Sequence, residues 1–120
     1  MKLFRRAALV STVLLLCSLR SGNASFSQET LVGYVSDSMC GASHAKVSSS
    51  RGLTDRQCVI ECIRSLANYV LVDENKKVIP ILNQDFVGLP YHAGRRVKVQ
   101  GEIKAEGIML SSIEAASPVE

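Results

Sequence analysis

The chain has 120 residues, enough for one small domain, with 14 Lys and Arg against 11 Asp and Glu. Its formal charge of +3 is concentrated at one end: Lys2, Arg5, Arg6 and Arg20 stand in the first 24 residues, which hold no acid, and ten basic residues face eleven acidic ones beyond them. A body so close to neutrality lacks the basic footprint by which proteins grip nucleic acid or an anionic membrane.

The opening "MKLFRRAALVSTVLLLCSLRSGNAS" places Lys2, Arg5 and Arg6 before an apolar run from Ala7 to Leu19. That pattern predicts a secretory signal peptide over residues 1–24, cleaved after Ala24 in the small-residue stretch Gly22-Asn23-Ala24. The run falls short of the roughly 20 apolar residues of a spanning helix. A lipoprotein signal would use Cys17, but Leu16 stands where a small residue is needed. Cleavage leaves residues 25–120 as a single domain, exported to the periplasm or secreted, without a stable membrane span. It also removes one of four cysteines, and three is an odd number for an exported chain.

The stretch "TLVGYVSDSM" (30–39) is rich in β-branched and aromatic residues and ends in a Ser/Asp cluster, so it reads as a first strand. Farther on, "TDRQCVIECIRSLAN" opens with Thr54 followed three positions later by Gln57, the signature of a capping box. The expected helix carries Cys58, Val59, Cys62, Ile63 and Leu66 on one apolar stripe and stops near Asn68. "YVLVD" and "VIPIL" flank the polar turn "ENKK" as a hairpin, with Pro80 confining the second strand to an edge or bulge. "NQDFVGLPYHAG" is an irregular connector with room for one helical turn. "RRVKVQGEIK" and "IMLSSIE", joined through "AEG", form a final hairpin. The expected fold is mainly β with one helix after the first strand. Residues 25–28 and 115–120 are expected to be frayed ends.

The closing segment "AGRRVKVQGEIKAEGIMLSSIE" resembles the last two strands of small OB-fold barrels, which implies a five-stranded OB-like barrel with the cysteine-bearing segment as an elaborated loop. The stretch "DSMCGASH" (37–44), followed by Cys58-x3-Cys62 and "YVLV", resembles a family of uncharacterised exported bacterial proteins with the motifs DSMCGxxH and CxxxC. That resemblance implies export but no particular activity.

Residues four apart on a helix lie on one face, so Cys58 and Cys62 can aim both sulfurs at one atom. Their Cβ atoms, about 5–6 Å apart, are too distant for the 3.5–4.5 Å of a disulfide. Cys40 and His44 from the preceding loop supply two more ligands, giving Cys-x3-His, thirteen residues, then Cys-x3-Cys. Three thiolates and an imidazole suit zinc in a closed tetrahedral site. A staple by disulfide, Cys40 with Cys58 or Cys62, competes with it in an oxidising compartment. Copper is the alternative metal: Cys-x3-Cys with a histidine resembles copper chaperones of the cytochrome-oxidase assembly type, and soft sulfur suits Cu(I). Met39-Cys40-Gly41 with His44 resembles half of a binuclear copper loop, but Ser36 stands where that loop needs its first cysteine. The absence of CxxCH excludes a c-type haem.

An enzymatic alternative places a thiolate at Cys58, near the helix start and Arg56, with His44 as base in thiol redox or nucleophilic chemistry. Asp37, Ser36 and Ser38 read as strand terminators and His92 as a turn cap, and a non-enzyme is the better fit. A nucleic-acid-binding OB domain would need aromatics interleaved with a basic groove. Phe26, Tyr34, Tyr69, Phe86 and Tyr91 are present without the charge, so no nucleic acid is expected. The partner is an unspecified small ligand or protein.

Overall fold

The computed structural model describes residues 27–43 and 49–117. The expected signal peptide and His44 lie outside the described residues. Five strands form one antiparallel sheet: β1 (Gln28–Asp37), β2 (Tyr69–Asp73), β3 (Val78–Pro80), β4 (Arg96–Lys104) and β5 (Gly107–Ala115). Helix α1 (Asp55–Arg64) follows β1, and a single helical turn, α2 (Leu89–His92), lies in the connector before β4. The mainly β organisation and the position of the helix after the first strand are as expected.

Strand order is β3-β2-β1-β4-β5, with β1 at the centre. Val35 faces Leu71 of β2, and Leu31 faces Val99 of β4. The period of two puts these apolar residues on one side of the sheet. There Val35, Leu71, Val97, Val99 and Ile108 join Val59 of α1 and Leu89 of α2 in the core. Helix α1 thus packs its apolar stripe against this side of the sheet.

The sheet is not closed into a barrel. Its outer strands meet at one parallel bridge, Ile81 with Ile108, where the Leu82 N–H donates to the Ile108 carbonyl at 2.8 Å. Two features keep the seam this short. Strand β3 spans only three residues and ends at Pro80, which has no backbone donor to extend a ladder. Beyond it the Asn83 side chain takes the place of a strand, donating Nδ2–H to the Leu110 carbonyl and accepting the Leu110 N–H, both at 2.9 Å. At the start of β5, Gly107 has φ +151°, and a Cβ there would stand 2.2 Å from the Pro80 carbonyl oxygen. The close approach of the two edges depends on the missing side chain.

Helix α1 begins as its capping box predicts. The Thr54 Oγ1 accepts the Gln57 N–H at 3.2 Å, and the Gln57 Oε1 accepts the Thr54 N–H at 2.9 Å. The helix ends earlier than expected, at Arg64 with Ser65 as C-cap. Leu66, expected on the buried stripe, instead has φ +72° and is 92% exposed. The chain reverses there: the Ala67 N–H turns back to the Cys62 carbonyl at 3.0 Å, placing Leu66 in the left-handed closing position usually held by glycine.

Candidate metal centre

Three elements converge at the end of β1. Asp37 closes the strand, a turn carries Cys40, and the face of α1 that bears Cys58 and Cys62 packs against both. The Sγ atoms of Cys40, Cys58 and Cys62 all lie within 4.8 Å of one another. The three are free thiols, with Cys58 and Cys62 buried and Cys40 half-buried. The i, i+4 spacing aims the helix pair as expected, and the loop brings Cys40 from eighteen residues away in sequence to join it. His44, the fourth residue expected at the site, lies outside the described residues.

Cys40 is held by a dense set of short bonds. Asp37 is fully buried, and its Oδ1 accepts the backbone N–H groups of Met39 at 2.9 Å and Cys40 at 3.0 Å. Ser36 Oγ donates to the Gly41 carbonyl at 3.0 Å, and the Ser43 N–H donates to the Cys40 carbonyl at 3.0 Å in a 3₁₀ turn, Gly41–Ser43. The far side of the loop is tied to the end of the helix. Ser38 N–H donates to the Asn68 carbonyl at 2.8 Å, and the Asn68 N–H donates to Ser38 Oγ at 2.9 Å. Ser36, Asp37 and Ser38 do end the strand, as read from the sequence, but they also fix the cysteine loop. The sequence signal for this is the aspartate that precedes "SMC": an Asx turn bonds the backbone two residues on, here Met39, and the Cys40 N–H joins the same oxygen.

The electrostatics favour neutral thiols in the absence of a cation. Burial first, and then the Asp37 carboxylate, push the Cys40 thiol above its usual range. The same two causes, with Cys40 itself adding to them, push Cys62 up to about 12. A divalent ion at the centre of the trio would supply the positive charge that ionises them.

Arg56, expected to favour a Cys58 thiolate, and His92, expected to cap a turn, meet at the junction of α1 with the α2–β4 connection. The Arg56 guanidinium donates to the Tyr91 carbonyl at 2.7 Å and to the Ala93 carbonyl at 3.3 Å, docking α1 on the α2–β4 connection. His92 is buried beside it, its ring edge-on to Tyr91. Its N–H closes the helical turn by donating to the Gly88 carbonyl at 3.0 Å. Of the five aromatics noted in the sequence, Tyr69 is buried, Phe86 half-buried, Tyr34 and Tyr91 exposed, and Phe26 lies outside the described residues.

These features define a small open β-sheet domain with one helix and a three-thiol centre. No family model, curated protein or solved structure matches the chain. No helix among the described residues is long and apolar enough to cross a membrane.

Proposed function

We propose that the protein is an exported metal-binding module in which Cys40, Cys58 and Cys62, with His44 as fourth ligand, hold a zinc ion. The observation that carries this reading is the convergence of three sulfurs within 4.8 Å, two from a helix and one from a separate loop. Ligands at about 2.3 Å from a tetrahedral zinc stand about 3.8 Å apart, so a small inward adjustment of the thiols completes the cage. His44 follows Cys40 by four residues and the 3₁₀ turn leads directly to it. The export reading rests on the charged, apolar and small-residue pattern of residues 1–24.

Charge selects zinc over copper. Three thiolates beside the buried Asp37 carboxylate concentrate negative charge, which a divalent ion offsets better than monovalent Cu(I) does. Ligation also suits Cys40 and Cys62 better than nucleophilic chemistry, which needs thiolate at neutral pH. Burial and Asp37 keep Cys40 and Cys62 protonated until a cation arrives.

Metal analysis of the native protein after refolding with zinc tests the reading, and one zinc per chain is expected. Single substitutions Cys40→Ser, Cys58→Ser, Cys62→Ser and His44→Ala should each lower bound metal, and a chelator should lower the melting temperature because binding and folding are coupled. A disulfide staple gives the opposite pattern: reductant destabilises, chelator does not, His44→Ala is silent, and one of the helix cysteines is dispensable. Protein that binds no zinc and carries a mapped Cys40 disulfide would overturn the metal reading.

A further inference from the structure

The two helix thiols and the loop thiol reach the centre by different means. Cys58 and Cys62 are placed by the regular spacing of α1, whose start is fixed by the capping box and whose Val59 is locked in the core. Cys40 sits on a three-residue turn and is only half-buried, so its placement depends on the bonds that fix that turn. Of the bonds that fix this turn, the two that reach the backbone of Met39 and Cys40 converge on one side chain. Asp37, fully buried at the last position of β1, receives two converging N–H donors, from Met39 and from Cys40 itself. A carboxylate bonded at i+2 and i+3 fixes the backbone of the turn, and with it the direction of the Cys40 Cα–Cβ bond. The strand end is in turn anchored by the pairing of Asp37 with Tyr69 of β2.

We infer that Asp37 is the positioning residue of the metal centre, an Asx clamp that delivers Cys40 as third sulfur ligand to the pair on α1. This rests on the metal reading above. Asp37 need not touch the ion. It acts through the Cys40 backbone, as outer-shell partners of metal ligands do when they set ligand orientation. Without it, the helix pair keeps its geometry and the third ligand is lost from the ordered set.

Cobalt(II) serves as the probe, because its sulfur-to-metal charge-transfer absorbance scales with the number of thiolates bound. In Asp37→Ala, cobalt affinity should fall about tenfold or more, and the charge-transfer intensity per bound cobalt should drop by about a third, as expected for two thiolates in place of three. Asp37→Asn, which keeps the Oδ1 acceptor without the charge, should restore the intensity and most of the affinity. The Asp37→Ala effect should vanish in a Cys40→Ser background, since Asp37 then has no ligand to position. Should Asp37→Ala fail to fold, Asp37→Gln replaces it, carrying the same amide one methylene too far along.

A metal-free arm separates this inference from the metal reading. In the reduced apo protein, alkylation of Cys40 by iodoacetamide should be several-fold faster in Asp37→Ala than in Asp37→Asn, the two variants that equally lack the carboxylate charge acting on the Cys40 thiol. The clamp is overturned if Asp37→Ala keeps the parent's cobalt intensity and alkylates Cys40 no faster than Asp37→Asn, or if Asp37→Asn is as impaired as Asp37→Ala, which would assign the effect to charge. A parent protein that binds no cobalt while Asp37 still governs Cys40 alkylation would overturn the metal reading alone and leave the clamp standing.

Discussion

His92 illustrates what a buried titratable side chain contributes. Burial first, and then the charges of Arg95 and Arg56, hold its imidazole below the usual 6.5. The folded state therefore prefers the neutral ring. As pH falls, the unfolded chain takes up the proton before the folded one does, so the stabilisation is complete above about 6.5 and is lost progressively below it. Urea unfolding at pH 7.5 and 5.5 should show a loss of stability on acidification that is smaller in His92→Gln. Equal losses in the two proteins would show that His92 is not the group responsible.

Helix α1 carries two cysteines to the centre, and its first turn decides where they stand. The Thr54–Gln57 box satisfies backbone N–H groups that the helix itself leaves without partners. Arg56, two residues before Cys58, clamps the same end to the carbonyls of Tyr91 and Ala93. Gly94, with φ +71°, allows this docking, because a Cβ there would stand 2.6 Å from the Arg56 backbone. Thr54→Ala should destabilise the domain by about 1 kcal/mol, measured by thermal or urea unfolding. The stripe of α1 is otherwise unchanged, so metal stoichiometry should be preserved. An unaltered stability would mean that the box contributes nothing beyond what water supplies.

At the scale of the molecule, the edges of the sheet are joined by a side chain more than by a strand. Asn83 pairs with both backbone groups of Leu110, beside the one bridge between Ile81 and Ile108. Asn83→Ala removes both bonds and leaves a half-buried donor and acceptor to find water, at an expected cost of about 1–3 kcal/mol. Asn83→Asp keeps one of the two bonds and should cost less. Amide exchange should report the loss first at Leu110 and Leu82, since the seam opens before the central pairing of β1. If exchange at Leu82 and Leu110 is unaffected in Asn83→Ala, the seam is held by the apolar contacts of Ile81 and Ile108 instead.

Local chemistry made much of this legible in the sequence. The capping box, the i, i+4 cysteines, the two hairpins and the one helical turn for which "NQDFVGLPYHAG" has room each depend on residues close in the chain, and each forms. The arrival of Cys40 beside Cys58 and Cys62 was readable as a possibility from ligand type and spacing, but the sulfurs meet only because the end of β1 and the face of α1 pack together. What local pattern could not give was decided by contacts between distant residues. Leu66 fits the helical stripe by spacing, yet the chain reverses through it because the Asn68 backbone is bonded to Ser38. The resemblance to small OB-fold barrels implied an OB-like barrel, and the sheet stays open because closure depends on how a three-residue β3, Pro80 and Asn83 meet β5, some thirty residues later. Asp37 was visible as the end of a strand, whereas its part in holding Cys40 follows from burial and from the turn it caps. A period or a cap is set by neighbours along the chain, while a seam or a three-sulfur centre is set by the tertiary packing that brings remote segments into register.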